Sequence, residues 1–120
     1  MVVEDSEVVG HLLRVLLESE GYEVLVVPDG LRALERATIV LPDVILLDVS
    51  LPGMDGREVL RRLKEDPITV RIPVVVVSAF ADALTAADRR RAAHVVAKPF
   101  DVDDLLQKVR TAGLLDAHRQ

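Results

Sequence analysis

Val44-Ile45-Leu46-Leu47-Asp48 sets four apolar residues in a row directly before a carboxylate. A strand that is apolar on consecutive positions has no face to offer water. It belongs inside a parallel sheet with helices on both sides. Val74-Val75-Val76-Val77-Ser78 repeats the pattern and ends in a hydroxyl. Outward from these two runs, short β-branched stretches alternate with segments of helical period. Val2-Val3 leads into Glu4-Asp5, Glu23 to Val27 reads as a strand, and Val95-Val96 as another.

The intervening segments read as helices. Ser6 is placed to cap a helix that runs to about Glu20, with Gly21 to end it and Val9, Leu12, Leu13, Leu16 and Leu17 on its apolar face. Pro28-Asp29-Gly30 turns the chain into a short helix carrying Leu31, Leu34 and Ile39 inward, broken by Pro42. A third helix presents Val59, Leu60 and Leu63 and stops before Asp66-Pro67. A fourth spans Asp82 to about Arg91. The fifth carries Val102, Leu105, Leu106 and Val109 as far as Gly113. One domain over residues 1–113 is expected, with residues 114–120 as a C-terminal tail or the start of a linker. Five strands alternating with five helices predict the α/β class: a doubly wound parallel sheet with right-handed crossovers.

Composition narrows the function. Half of the 120 residues are hydrophobic, yet only Tyr22, Phe80 and Phe100 are aromatic. Such a chain is too apolar to be disordered and lacks the stacking platforms of an oligonucleotide binder. The formal net charge of −5 argues against direct nucleic-acid contact. There is no cysteine, so disulfides, thiolate metal sites and thiol nucleophiles are excluded. No apolar run approaches a membrane span and no signal peptide is visible, so a soluble cytoplasmic protein is expected.

In open α/β sheets the working crevice lies at the carboxyl ends of the strands. Reading those ends gives Glu4 and Asp5, then Asp48, Ser78 and Lys98; the second strand ends in Val27-Pro28 and offers no chemistry. Three neighbouring carboxylates repel one another and raise their own pKa values unless a cation neutralises them. Oxygen ligands without His or Cys suit a hard divalent ion, Mg²⁺ above all. A metal, a lysine and a serine around one carboxylate make a phosphoryl-binding arrangement, and the carboxylate can then act as nucleophile.

Glu4-Asp5, the strand end Leu46-Leu47-Asp48, Leu51-Pro52-Gly53-Met54-Asp55-Gly56, Val77-Ser78-Ala79 and Lys98-Pro99-Phe100 carry a specific resemblance. Over essentially its whole length the chain resembles a response-regulator receiver domain of two-component signalling. The resemblance implies a flavodoxin-like (βα)5 sandwich with strand order 2-1-3-4-5. It implies that Asp48 is the phospho-acceptor and that Asp5 binds Mg²⁺ directly. Glu4 would bind the ion mainly through water, and the backbone carbonyl of Ser50 would supply a further ligand. Ser78 would hydrogen-bond the phosphoryl group, the small Ala79 would leave the site open, and Lys98 would pair with a phosphoryl oxygen. The Lys98-Pro99 peptide is expected to be cis. The donor would be a phosphohistidine on a histidine kinase or a histidine phosphotransfer protein. The response would appear on the face made by the fourth helix, fifth strand and fifth helix, read by an output domain or target protein or used for a homodimer. The domain would be a signalling switch with intrinsic self-phosphorylation and self-dephosphorylation, not a metabolic enzyme.

Some positions depart from that pattern. Val95 stands where receivers usually carry an aromatic that moves with the hydroxyl, and Phe80 is the candidate to report in its place. Arg91-Ala92-Ala93 has no glycine before the fifth strand. Gly10 lies inside the first helix, at roughly 1 kcal/mol relative to Ala. His11, His94 and His118 share no ligand spacing and read as surface residues; Arg89-Arg90-Arg91 reads as a solvated helix face, while Tyr22 and Phe100 read as packing. Three rival functions remain open. The departure at Val95 supports a receiver-like interaction module that works without phosphorylation. An aspartyl phosphatase would need an acid/base carboxylate where Ser50 stands. An FMN binder would meet repulsion from Glu4-Asp5-Ser6-Glu7.

Overall fold

The computed structural model describes residues 1–117; residues 118–120, and with them the expectation for His118, lie outside the described residues. The elements run β1 (Val2–Val3), α1 (Glu7–Ser19), β2 (Val26–Val27), α2 (Gly30–Val40), β3 (Ile45–Asp48), α3 (Gly56–Glu65), β4 (Val74–Ser78), a 3-10 turn (Ala81–Ala83), α4 (Ala86–Arg91), β5 (His94–Ala97) and α5 (Val102–Ala117). The strands form one five-stranded sheet in the order β2-β1-β3-β4-β5, with every pair parallel. This is the α/β class that the alternation predicts, in the flavodoxin-like strand order that the resemblance implies.

The central strands are buried on both faces, as their apolar runs require: every residue of β3 and β4 is buried. Side chains alternate across the sheet. Val3, Ile45, Leu47, Val74 and Val76 meet α2 and α3 through Ala33, Ala37, Val59, Leu60 and Leu63. Val2, Leu46, Val75, Val77 and Val96 meet α1 and α5 through Leu13, Leu17, Leu105 and Val109. Two aliphatic cores thus hold one sheet between helical layers. Tyr22 and Phe100 pack against the second core, as expected.

Caps fix most helix ends. The Ser6 hydroxyl accepts from the Val9 amide at 3.2 Å and the Asp29 carboxylate from the Arg32 amide at 2.9 Å. Gly21 follows α1 with φ +93°, a conformation that favours glycine. Gly10 has a reason to be small: a Cβ there would lie 3.1 Å from a methyl of Val26, so it lets α1 approach β2.

The structure corrects four element readings. In α2 the inward residues are Ala33 and Ala37, both fully buried, whereas Leu31 and Ile39 are 66% and 62% exposed. The small pair lets the helix backbone sit close to the sheet, and that rotates the larger residues outward; only Leu34 packs on the core, partly buried. The expected helix from Asp82 to Arg91 is split in two. Leu84 takes an extended conformation and is buried, and Thr85 with Asp88 forms a capping box that restarts the chain as a six-residue helix. The second strand is paired only over Val26–Val27, because β1 offers just Val2–Val3 opposite it. At the other end α5 continues past Gly113 to Ala117, since Gly113 keeps helical backbone.

Candidate functional site

Parallel strands deliver their carboxyl ends to one edge. Asp48 ends β3, Ser78 ends β4, Glu4 and Asp5 follow β1, and Lys98 follows β5. The register Asp48↔Val77 and Ser78↔Ala97 keeps these ends level. Carboxylate oxygens of Glu4, Asp5 and Asp48 all lie within 4.8 Å of one another. Glu4 and Asp48 are buried, while Asp5 is exposed at the mouth.

Asp48 is held at both oxygens. Its Oδ2 accepts from Lys98 Nζ at 2.7 Å, and its Oδ1 accepts from the Ser50 amide at 2.8 Å. Glu4 Oε1 accepts from the Ser6 amide at 3.1 Å. The Lys98-Pro99 peptide is cis, as expected, and the Lys98 amide donates to the Ser78 carbonyl at 2.8 Å. The Ser78 hydroxyl accepts from the Phe80 amide at 2.9 Å. Its own hydrogen remains available to a group arriving at Asp48. Val95 is partly buried and packs on the first core, while the Phe80 ring is exposed.

Sequence alone suggests that all three acids rise together, and the structure divides them. Burial, then a hydrogen bond with Asp48, pushes the Glu4 carboxyl up to about 7 from its ordinary 4.5. For Asp48 burial acts upward too, but hydrogen bonds from Glu4, Lys98 and the Ser50 amide outweigh it and hold Asp48 below its ordinary value. The pair is thus biased toward a protonated Glu4 beside a charged Asp48.

This division has a measurable consequence. The folded chain retains a proton on Glu4 between pH 4.5 and about 7 that the unfolded chain has released. That contribution to stability is complete below the unfolded value and disappears as pH rises through the folded one. Without metal the thermal stability should therefore fall as pH rises from about 4.5 to about 7, by on the order of 2 kcal/mol given the sharing with Asp48. Glu4→Gln should flatten that profile and raise the melting temperature at the alkaline end. A profile unchanged by the substitution would show that Glu4 is not the group that titrates.

Two contributors were not legible in the residue pattern, the Ser6 amide on Glu4 and the Phe80 amide on Ser78, whereas Pro52 to Gly56 reads from sequence as a turn that shapes the loop beside Asp48, and Gly56 is where the packing is tightest. A Cβ on Gly56 would lie 2.5 Å from Val49 Cα and 2.7 Å from the Asp48 carbonyl. The Gly56 amide also donates to the Val49 carbonyl at 3.0 Å. Gly56 therefore closes the loop against the backbone of Asp48 and Val49. His94, expected at the surface, is partly buried, and its Nε2 is buried without a hydrogen-bond partner among the described residues. His11 is exposed, as expected.

The family model of the response regulator receiver domain matches residues 1–110. The response regulator PleD of Caulobacter vibrioides is 43% identical over 114 residues, covering 92% of this chain and 25% of that protein. Sporulation initiation phosphotransferase F of Bacillus subtilis is 33% identical over 110 residues, covering 92% of this chain and 89% of that one. The response regulator protein TrrA from Thermotoga maritima, crystallised in complex with Mg²⁺-BeF, superposes with a TM-score of 0.84 at 27% identity, covering 92% of this chain and 95% of that one. The chain spans a quarter of the length of PleD. Among the described residues no helix is long and apolar enough to cross a membrane.

Proposed function

The chain belongs to the response regulator receiver domain family, and on that premise we propose that it is a switch in which Asp48 accepts a phosphoryl group from a phosphohistidine. Phosphorylation-based signalling is the general function of the family. What carries the residue-level reading is Asp48 itself: a buried carboxylate kept charged by Lys98 at 2.7 Å, beside two further acids.

Each neighbour then has a task. The ionised Asp48 carboxylate attacks phosphorus, the bond from phosphorus to the imidazole nitrogen breaks, and the electron pair leaves with the donor's imidazole. Lys98 neutralises Asp48 before transfer and can follow the charge onto a phosphoryl oxygen afterwards. The Ser50 amide, bonded to Oδ1, and Lys98, bonded to Oδ2, together fix the plane of the Asp48 carboxylate. The Ser78 hydroxyl donates to the phosphoryl group once that group is present.

The donor set fits Mg²⁺: Glu4, Asp5 and Asp48 present oxygen ligands within one ion's reach, with no nitrogen or sulfur among them. These three and the Ser50 carbonyl would hold it. When bound it supplies positive charge that offsets the carboxylates and the incoming phosphoryl oxygens.

The donor would be a histidine kinase or a histidine phosphotransfer protein, and the output an attached domain, a separate target or a homodimer through α4, β5 and α5. Residues 1–113 would form the signalling unit, working in the cytoplasm. It would carry only self-phosphorylation and self-dephosphorylation activity.

The test is direct. Incubation with a small acyl or amido phosphate and Mg²⁺ should add the mass of one phosphoryl group to the intact chain, and a chelator should prevent it. No adduct under conditions that label another receiver would overturn the proposal in favour of an interaction module that works unphosphorylated.

A further inference from the structure

Arg89 leads a run of three arginines on α4, and its guanidinium turns back along the chain. Nη2 donates to the Ala81 carbonyl at 2.7 Å, across eight positions. Helical side chains lean toward the amino end, so a residue one turn past the Thr85 cap is placed to reach the segment before the helix. The carbonyl it reaches belongs to the 3-10 turn Ala81–Ala83.

That turn carries the residue that touches Ser78. The Phe80 amide donates to the Ser78 hydroxyl oxygen at 2.9 Å, and the Phe80 carbonyl accepts from the Ala83 amide at 2.9 Å. The Ala81 carbonyl also accepts from the Leu84 amide at 3.1 Å. The turn is thus pinned at its far end by the buried Leu84 and at Ala81 by Arg89. Its other side chains give it little hold: Phe80 is 71% exposed, and Asp82 and Ala83 are exposed as well.

The Ser78 backbone is fixed independently, since it pairs with Ala97 and its carbonyl accepts from the Lys98 amide at 2.8 Å. The hydroxyl rotor is what remains to be set. A hydroxyl has one hydrogen and two lone pairs. An N–H arriving at its oxygen steers the hydrogen away from that side and makes it a stronger donor. The position of the Phe80 amide therefore governs where the Ser78 hydrogen points.

We propose that Arg89 is a positioning residue for phosphoryl uptake at Asp48: it ties down the 3-10 turn whose Phe80 amide aims the Ser78 hydroxyl. The inference rests on the reading of Asp48 as the phospho-acceptor. Arg89 acts through the backbone, from Ala81 to Phe80.

The experiment follows uptake from a small acyl phosphate with Mg²⁺ by intact mass over time. It compares the native chain with Arg89→Ala, Arg90→Ala, Ser78→Ala and the double variant Arg89→Ala/Ser78→Ala. Arg89→Ala should react roughly fivefold more slowly, as for the loss of one oriented hydrogen bond. Arg90→Ala removes the same charge from an exposed neighbour and should match the native rate, which separates positioning from attraction of an anionic donor. Ser78→Ala should itself be slow, and adding Arg89→Ala to it should change nothing, because the hydroxyl to be aimed is gone. A merely structural role would slow both backgrounds alike. Without any phosphodonor, the Phe80 amide should exchange hydrogen faster in Arg89→Ala while the amides of β4 keep their rates. Native uptake in Arg89→Ala, equal slowing by Arg90→Ala, full slowing in the Ser78→Ala background, or unchanged Phe80 exchange would each overturn the proposal. No uptake by the native chain would instead overturn the reading of Asp48 on which it rests.

Discussion

Replacing Asp48 with asparagine should abolish phosphoryl incorporation altogether, not merely slow it. The carboxylate is the only nucleophile in the proposed reaction, and an amide oxygen carries neither its charge nor its basicity. The asparagine side chain would still fit the space, and its one carbonyl oxygen could still accept from the Ser50 amide, a bond of 2.8 Å in the native chain, while its NH2 group would release Lys98, which bonds the other Asp48 oxygen at 2.7 Å. Loss of labelling should therefore come without loss of fold. Intact-mass analysis with Mg²⁺ and a small phosphodonor reads the first, and thermal denaturation the second. Glu4 supplies an internal check. Its elevated value owes part of its rise to Asp48, so in Asp48→Asn the Glu4 carboxyl should titrate lower. A phosphorylated Asp48→Asn chain would place the acceptor elsewhere.

The second large effect is expected at Gly56. An added methyl group would meet Val49 Cα at 2.5 Å, the Asp48 carbonyl at 2.7 Å and the Val49 carbonyl at 2.9 Å. All three are backbone atoms, so no side-chain rotation relieves the clash, and the turn after β3 must move. Overpacking of this kind costs about 3 kcal/mol. Gly56→Ala should thus lower the melting temperature by roughly 10 °C. It should also slow phosphoryl uptake, because the displaced atoms lead directly to Asp48 and Ser50. Gly53→Ala is the natural comparison. Gly53 has φ +74° but open space around it, so only backbone strain of about 1 kcal/mol is expected there. Similar losses at both positions would mean that the close approach at Gly56 is not what matters.

Much of this was legible in the residues. Fully apolar runs at residues 44–47 and 74–77 announce buried parallel strands, and the crevice rule turns strand ends into site residues. Glu4, Asp5, Asp48 and Lys98 are indeed brought together, with the Ser50 amide on Asp48 and Ser78 ending the next strand. What escaped has definite causes. The phase of α2 depends on Ala33 and Ala37, whose value lies in being small, and hydrophobicity patterns weigh Leu31 and Ile39 above them. The break before α4 turns on the burial of one residue, Leu84, which local propensity does not reveal. The opposite shifts of Glu4 and Asp48 arise from burial, from the contact between the two carboxyls and, at Asp48, from a lysine fifty positions away in the chain, relations visible only after folding.

The all-parallel order β2-β1-β3-β4-β5 also bears on how the chain is made. No two strands adjacent in sequence can close as a tight hairpin, because every connection crosses over. Val74–Ser78 lies between β3 and β5, so its second edge stays open until His94–Ala97 has emerged and docked. During synthesis, four consecutive valines present an unpaired edge to other nascent chains, a hazard for self-association. Arg71 and Pro73 stand immediately upstream of that run, a charge and a backbone without a donor, where they interrupt any longer sticky segment. Their contribution would be to yield, measured as soluble protein per cell, rather than to the stability of the finished fold.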